Sequence, residues 1–430
     1  MTIEALVRAL AAERAIADWS ARARFTRARW VARGDAARGS SEGERTTTAL
    51  AATIHRDTPE GRGSATFTLG PSDVVAEALR AALVRAGGAV GPPWRSPPSA
   101  APARVVVADP AVETAALARV PGELEAQVVA AARAAGATVA EVRVEVAVEA
   151  VQVITSRDVD ARWPETRFTV EARLLRDGVY ARLERVVRRR EELAIGVVVA
   201  AAVDRALRRA KALETPAGRM ATVLRADALL HGGRGLFEAI VAQADPALEH
   251  QGLVRYRPGQ PIAAGAVAAA QPLTVTSDGT LPFGLRSAPL DEDGAAVRRF
   301  ELVGRGVARN LALDGREASL RGVSPNGGVR AIVVPPGTSP ERALLASSGG
   351  PLLVVEAWSW LDVAPVTGHF RAAIALGRII DRGGTHDVTG GIVRGDALAA
   401  LALSTRSQEL VTTPEYHGPS AWALGELTVD

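Results

Sequence analysis

The spacing of hydrophobic and polar positions changes several times along the chain, and these changes predict its secondary structure. Apolar residues three and four positions apart predict an amphipathic helix over residues 3–17. Alternating positions then predict strands over residues 22–32 and 46–57. A glycine turn at Gly61 and Gly63 comes next, within the segment GRGSATFTLGPSDVVAEALRAALVRA. That segment predicts a further strand and a closing helix.

The same order of elements returns later in the chain. A helix is predicted over residues 124–134, with strands over 139–156 and 166–175, a turn at Gly178 and a second closing helix. The segments TTTALAATIHRD and TRFTVEARLLRD align just before the two glycine turns. We therefore predict an internal duplication of a helix–strand–helix unit. Its halves cover about residues 1–90 and 120–215, and a linker rich in proline and glycine, residues 87–103, joins them.

The pattern changes after Pro216. A short helical stretch over residues 226–244 leads into alternating segments with frequent glycine turns, which are typical of β-structure. Two of them, FELVGRGVARNLAL and AAIALGRIIDRGGTHDV, predict β-hairpins. We therefore predict an α+β fold, with an N-terminal α/β domain over residues 1–217 and a β-rich C-terminal domain over residues 218–430.

Composition is that of a globular protein and narrows the chemistry. Of the 430 residues, 47% are hydrophobic and 23% are charged, both ordinary values for a soluble protein. The absence of cysteine excludes disulfides, thiolate metal sites and a cysteine nucleophile. The first residues lack the apolar core of a signal peptide, and no apolar run reaches 18 residues. We expect a cytoplasmic protein that does not bind a membrane.

The charge balance does not favour nucleic-acid binding. The 51 basic and 48 acidic side chains leave a formal charge of only +3. The most basic stretch that also carries aromatic residues is RARFTRARWVAR, residues 22–33. Because arginine is used throughout the chain, a strand with outward arginines is the better interpretation, and we expect no nucleic-acid partner.

Candidate catalytic residues are few. Six histidines are present, and none has HExxH or HxH spacing. Four of them lie in turns flanked by glycine or proline, which favours solvated side chains, although His369, His386 and His417 could form an atypical hydrolase site with nearby carboxylates. The stretch HGGRG lacks the lysine and hydroxyl ending of a phosphate-binding loop, and GxSxG is absent.

One acidic stretch is a second candidate site. Asp291, Glu292 and Asp293 precede Gly294, and Arg298 opens the next predicted strand. Composition alone favours an acidic turn before a hairpin. The functional alternative is a carboxylate cluster that binds a metal or the arginine of a partner.

The same stretch carries a resemblance to a known family. PLDEDGAAVRRFELVGRGVARNLALDGREA resembles a conserved stretch of the TldD/PmbA (TldE) family of peptidase-related proteins. VAPVTGHFRAAIALGRIIDRGGTHDVTGGIVRGDALAAL and HGPSAWALGELTV are similar to two C-terminal regions of that family, in the same order. GRGSATFTLGPSDVVAEALRAALVRA is similar to its N-terminal part. The resemblance thus covers nearly the whole chain.

The resemblance implies a cytoplasmic two-domain protein that forms dimers around a cavity in which flexible peptides are cut. In TldD-type members, an HExxxH helix supplies two zinc ligands and the catalytic glutamate. A further ligand, often cysteine, comes from near the C-terminus. TldE-type members lack the metal site and pair with a TldD-type subunit.

This chain departs from the family's zinc motif. If His231 in LLHGGRGLFEAI takes the place of the first histidine, Gly232 stands where the glutamate would be and Leu236 where the second histidine would be. Glu238 lies two residues too far along. A zinc-bound water needs both ligands and a base, so the sequence predicts that this site is absent.

The resulting prediction is a TldE-like, non-catalytic subunit of a heterodimeric metalloprotease. The chain itself would hold no cofactor, zinc would lie in the TldD-like partner, and peptides would be the substrates. Asp291, Glu292, Asp293 and Arg298 would lie at an interface or along the peptide cavity. The alternatives are an active hydrolase with an atypical metal site, and a homodimeric peptide-binding protein without catalysis.

Overall fold

A computed structural model of the chain describes residues 2–34, 39–99, 101–112, 117–346 and 350–430. The predicted α+β fold with a β-rich C-terminal region is confirmed. Residue 100 of the predicted linker lies outside the described residues. The described α-helices are α1 (Ile3–Ala12), α2 (Val75–Gly88), α3 (Val120–Ala134), α4 (Ile195–Lys211), α5 (Ala226–Leu229), α6 (Glu238–Gln243), α7 (Pro246–His250), α8 (Gly315–Leu320), α9 (Glu341–Leu344) and α10 (Ala397–Ala402).

The described strands form three sheets. The strands in the first half of the chain are β1 (Asp18–Arg33), β2 (Ser40–Thr58), β3 (Gly61–Leu69), β4 (Val90–Gly91), β5 (Thr138–Thr155), β6 (Asp160–Arg176), β7 (Val179–Val187) and β8 (Leu213–Glu214). Those of the second half are β9 (Gly218–Arg225), β10 (Val275–Asp278), β11 (Arg299–Gly304), β12 (Val307–Ala308), β13 (Ala331–Val333), β14 (Leu352–Val363), β15 (His369–Asp381), β16 (Gly384–Thr389), β17 (Ile392–Asp396), β18 (Thr405–Arg406), β19 (Leu410–Thr413), β20 (Tyr416–Pro419) and β21 (Ala421–Val429).

The first sheet has seven antiparallel strands in the order β4-β3-β2-β1-β5-β6-β7. Its centre is the long pair β1–β5, in which Phe25 lies opposite Ala150. Each half of the sheet contains three consecutive strands, β1–β3 in one and β5–β7 in the other. In each half, one helix precedes the three strands and another follows them. The arrangement supports the proposed duplication, because an antiparallel central pair relates the two halves by an approximate two-fold axis.

Helices cover one face of this sheet. Val142, Val144 and Val146 alternate along β5 and are buried against α3 and α4. Full burial of such a side chain contributes about 1.5–3 kcal/mol. Helix α1 was predicted to reach residue 17 but ends at Ala12. The reason is tertiary, since the amide of Ala17 donates to the carbonyl of His55 and draws the chain into the sheet.

The C-terminal region contains a closed ring of strands. β14 pairs with β9, β9 with β21, β21 with β17, β17 with β15, and β15 again with β14. Strand β15 can close the ring because it is long enough to pair with β14 along one edge and with β17 and β16 along the other. Trp422 and Phe370 are buried in the core within and beside this ring.

A six-stranded sheet, β12-β11-β10-β13-β20-β19, shares this core. β11 and β12 form the predicted hairpin, with Arg305 and Gly306 at positive φ in the turn (+53° and +79°). β15 and β16 form the other predicted hairpin. Every helix in the described part of the chain is too short or too polar to cross a bilayer.

Two arginine networks join the first sheet and its helices to the C-terminal region. The buried guanidinium of Arg188 lies 3.1 Å from Glu165 and donates to the carbonyls of Ser287 (2.8 Å) and Leu285 (3.2 Å). On the opposite side, Arg208 of α4 bonds both carboxylate oxygens of Glu356, at 2.8 and 3.0 Å, and also pairs with Asp387. These contacts fix the C-terminal region against the first sheet.

Candidate functional site

The stretch around His231 is a turn, and it interrupts the helical stretch that was predicted over residues 226–244. Helix α5 ends at Leu229, a 3₁₀ turn covers Gly235–Phe237, and α6 begins at Glu238. The helix breaks because Gly232, Gly233 and Gly235 take φ values of +71°, +104° and +52°. Such left-handed backbone cannot continue a right-handed helix.

The turn is packed tightly enough to need its glycines. A Cβ on Gly235 would lie 1.7 Å from the carbonyl oxygen of Leu229, which is a backbone clash. A Cβ on Gly233 would lie 2.6 Å from Oε2 of Glu415. The chain therefore closes on itself where an HExxxH motif would require a regular helix.

The residues at the expected zinc-motif positions do not form a metal site. His231 is half-buried, and burial lowers its pKa, which keeps the ring neutral. Its ring nitrogens have no hydrogen-bond partner within the described residues, whereas a ligating histidine is normally held by one. Gly232 offers no carboxylate, and Leu236 is fully buried in the hydrophobic core. Leu236 thus occupies an apolar position that a ligand could not share.

The described part of the chain offers no alternative donor set in place of this motif. Within the described ranges, no group of three or more His, Asp or Glu side chains is arranged to hold a metal ion. Structural and catalytic zinc sites need three or four such donors. The residues present at the His231 turn therefore do not fit zinc.

The arginine of the turn, Arg234, has a mostly buried side chain. Arg234 donates to the carbonyl of Val329 at 2.9 Å, and its Nη1 lies 3.8 Å from Oε2 of Glu238. Burial lowers its pKa, and the charge of Arg286 lowers it further. Arg286 in turn pairs with Glu415 at 3.1 Å. The site is thus a set of arginine–carboxylate contacts.

A cleft of about 590 Å³ opens beside this turn. Arg234 and Glu238 line it together with Asp314 and Glu317. Asp314 caps α8 by accepting from the amide of Glu317 at 2.8 Å. The cleft is polar, and its described lining includes the carboxylates of Glu238, Asp245, Asp314 and Glu317 but no histidine. Its described lining has no serine, threonine, lysine or histidine to act as a nucleophile beside these carboxylates, and the cleft is wide enough to contact a peptide.

The acidic stretch forms a turn at the junction with the first sheet. Oδ1 of Asp291 accepts from the amides of Asp293 (3.0 Å) and Ala295 (2.8 Å). The turn abuts the end of β5, since a Cβ on Gly294 would lie 2.7 Å from Cγ2 of Thr155. Glu292 is exposed and pairs with Arg22 of β1 at 2.9 Å. These contacts are all within one chain.

Two carboxyls of this turn have raised pKa values. Burial raises the pKa of Asp293 to about 6, and the nearby carboxyl of Asp291 adds to the effect. Burial also raises the pKa of Asp291, although two backbone amides oppose it. The carbonyl of Asp293 accepts from Arg157 at 2.8 Å. Arg298 is exposed and immediately precedes β11. Whether these residues face a partner or a peptide stays a prediction.

The three histidines of the alternative hydrolase site lie apart. His369 begins β15, whereas His386 on β16 pairs with Ile379, ten residues further along β15. At a rise of about 3.3 Å per residue, this separation is roughly 33 Å. His417 lies on β20 in another sheet, where its Nδ1 is 2.8 Å from Oγ1 of Thr412. The structure does not bring the three together.

Sequence reasoning did not identify the arginines that organise this region. Arg234, Arg286 and Glu415 are distant in sequence and meet only through the fold. Within HGGRG, the arginine between glycines was the one available signal. The pair Arg188–Glu165 carried no signal, because nothing in the sequence distinguishes Arg188 from the other basic residues, which number 51 in all.

Comparison with known proteins agrees with this architecture. Residues 234–429 match the family model described as the PmbA/TldA metallopeptidase C-terminal domain. The match begins at Arg234, inside the glycine turn, and runs to the penultimate residue. No curated protein matches the chain.

Solved structures share the fold over the whole length. A candidate modulator of a DNA gyrase from Thermotoga maritima superposes with a TM-score of 0.78 at 16% identity and 100% coverage of both chains. TldE from Thermococcus kodakarensis gives 0.74 at 16% identity, covering 99% of this chain and 98% of that one. A candidate modulator of DNA gyrase from Bacteroides thetaiotaomicron gives 0.75 at 14% identity, with 99% coverage of both chains.

Residues 234–429 are thus a domain of the PmbA/TldA metallopeptidase C-terminal family, and the chain as a whole shares the α+β fold of the three solved structures.

Proposed function

We propose that this chain is a TldE-like, non-catalytic subunit of a zinc metalloprotease. It pairs with a TldD-like chain that carries the HExxxH motif and the zinc ion. Together the two chains enclose a cavity in which flexible peptides are cleaved. The proposed site of action is the cytoplasm.

One observation carries the proposal: the zinc-motif position is occupied by a glycine turn and a core leucine in a chain that otherwise has the family fold. Gly232 stands in place of the catalytic glutamate, and Leu236 stands in the core in place of the second histidine. Regaining a zinc site would require rebuilding the turn and part of the core. A chain that had lost a single zinc ligand by mutation could regain the site without rebuilding the turn or the core.

The features beside the turn support a role in enclosing peptides. The 590 Å³ cleft opens directly on Arg234 and Glu238, so a bound chain there would contact the remnant of the motif. Asp291, Asp293 and Glu292 lie at the junction of the two halves of the molecule, and Arg298 is exposed beside them. We propose that this junction lines the cavity or faces the partner.

Co-expression tests the proposal. The chain is produced with a family member from the same organism that carries HExxxH, and the mass of the purified species is measured by light scattering. We expect a one-to-one complex that cleaves a fluorescently labelled unfolded peptide. A partner whose motif glutamate is replaced by glutamine should form the same complex without cleavage.

The alternatives predict different results. A homodimeric peptide-binding protein gives a dimer of this chain that does not exchange with the partner. An active hydrolase cleaves the peptide by itself and keeps this activity when the partner's glutamate is replaced. Either result contradicts the proposal.

A further inference from the structure

A second groove runs along the free edge of the first sheet, and none of the glycine-turn residues lines it. Strand β7 ends the sheet and pairs only with β6 within the described residues. A groove of about 480 Å³ runs beside it and is bounded by α4 and by the β14–β15 hairpin. The proposal below does not depend on pairing with a zinc-bearing subunit.

The lining residues show that the strand edge itself forms one wall. Residues 179–182 are consecutive in β7, and all four line the groove. Successive side chains of a strand point to opposite faces, so a groove on one face would be lined by alternate residues only. A groove lined by four consecutive residues runs along the edge. The unpaired backbone groups of β7 therefore face it, and such groups are a template for another strand.

The floor of the groove leaves space for incoming side chains. Ala202, Ala206 and Ala210 recur at intervals of four along α4 and present only methyl groups. Ala357 and Ala375 form the opposite wall. Four-residue spacing places the helical alanines on one face, so the floor is continuous.

The charge of the groove indicates which kind of peptide strand it would bind. Arg182, Arg205 and Arg209 line it, and none of its described lining residues carries a carboxylate. Arg205 pairs with Asp227 at 2.6 Å, and Arg182 lies 3.8 Å from exposed Glu184. Arg209 is exposed and has no side-chain partner in the described part of the chain. The rim therefore has positive charge to spare for an acidic ligand.

We propose that this groove binds an extended acidic peptide segment, which adds to the edge of β7 as a further strand. Backbone hydrogen bonds to β7 hold the segment, the alanine floor accepts its side chains, and Arg182 and Arg209 pair with its carboxylates. Binding of this kind depends more on the backbone and the charge of the segment than on its exact sequence.

Peptide binding to the isolated full chain tests the proposal. The probe is a fluorescein-labelled decapeptide that alternates glutamate with valine, and binding is followed by fluorescence anisotropy at low salt. We expect saturable binding, weakened at least about tenfold when lysine replaces glutamate in the probe. The same glutamate probe with alternate backbone nitrogens methylated cannot donate to β7 and should not bind.

Matched substitutions separate the groove from the rest of the surface. Ala206→Leu fills the floor and is expected to weaken binding about tenfold, whereas Ala201→Leu on the exposed side of α4 should leave it unchanged. Arg209→Glu should weaken binding by a similar factor, and Arg80→Glu, the same charge change on α2, should have little effect.

Three results would overturn the proposal. One is no binding of the glutamate probe up to about 1 mM. Another is equal binding of the methylated probe, since the strand edge would then not be used. The third is a dimer of the chain that Ala206→Leu dissociates, because the occupant of the groove would then be a second copy.

Discussion

The carboxylate of Glu415 lies against the α-carbon of Gly233. A Cβ at position 233 would stand only 2.6 Å from Oε2, and Oε1 of the same carboxylate is 3.1 Å from Nε of Arg286. Glu415 immediately precedes β20, so a side chain 182 residues away in sequence holds the glycine turn against the C-terminal sheet. The glycine turn is thus a packed structural element.

The glycine turn should tolerate substitution unequally. Gly235→Ala places a methyl group against the carbonyl of Leu229 at φ +52°, and we expect a loss of about 3 kcal/mol or more in the free energy of unfolding. Gly232→Ala also has positive φ, but its Cβ meets open space, so about 1 kcal/mol is expected. Urea unfolding followed by circular dichroism measures both. Equal losses would mean that the turn is looser than described.

Rebuilding the family motif should not restore a zinc site. Leu236→His buries an imidazole in the apolar core and is expected to destabilise the chain by about 3 kcal/mol. Adding Gly232→Glu supplies the missing carboxylate, yet the turn still holds the three positions out of helical register. We therefore expect that zinc does not raise the melting temperature of the double variant. A zinc-dependent rise of several degrees would contradict this account of the turn.

Much of the fold followed from the sequence pattern, because the strands alternate clearly. Val142, Val144 and Val146 mark the covered face of β5, and the turn at Gly306 marks the β11–β12 hairpin. The sequence pattern could not predict where a helix ends when a tertiary contact sets that end. The amide of Ala17 donates a hydrogen bond to the carbonyl of His55, 38 residues away, and not to a carbonyl of the preceding helix.

The sequence showed that the HExxxH motif is missing, but it did not show which side chains meet at that position. The residue types at Gly232 and Leu236 are enough to predict that HExxxH is missing. Arg234, Arg286 and Glu415 come from three separate segments, and no local pattern links them. A helix over residues 226–244 was expected because the apolar periodicity resumes after the glycines, yet positive φ at three of them overrides it.

The buried pair Arg188–Glu165 should be among the most sensitive contacts of the chain. The side chains of Arg188 and Glu165 are only 6% and 4% exposed, so Arg188→Met leaves a carboxylate buried with Arg24 as its remaining cation. We expect a loss of about 3–5 kcal/mol in unfolding free energy. Thermal or urea unfolding measures it.

Two controls accompany this prediction. Arg189→Met removes a neighbouring arginine that is 47% exposed and paired with Glu191, and a change within about 0.5 kcal/mol is expected. Adding Glu165→Gln to Arg188→Met removes the unpaired charge and should recover part of the loss. If the double variant is no more stable than Arg188→Met alone, the loss comes from packing and the electrostatic account of this pair is wrong.

The acidic turn should make stability depend on pH. The pKa of Asp293 is about 6 in the folded chain, and an unfolded aspartate titrates near pKa 4. The folded chain therefore binds more protons between these values, so stability falls as pH rises from about 4 to about 6 and stays lower above that range. Asp291, Glu292 and Asp314 act to raise the pKa, whereas the charge of Arg157 opposes them.

Substitution separates this contribution from other titrations. Asp293→Asn should be more stable than the unchanged chain by about 1–2 kcal/mol at pH 7.5 and equal to it at pH 4. Glu292→Gln, whose side chain is 82% exposed, should alter stability by less than about 0.5 kcal/mol at both values. If Asp293→Asn is less stable at pH 7.5, the ionised carboxylate is favoured by the fold and the assignment is wrong.

The central claim is that the chemistry lies on another chain, and metal content together with cleavage tests it most directly. The purified chain is analysed for zinc by mass spectrometry and assayed with a labelled unfolded peptide, first alone and then with the HExxxH-bearing subunit. We predict far less than one zinc per chain and no cleavage by the chain alone, with cleavage once the partner is added. One zinc per chain with cleavage by the chain alone would contradict the account.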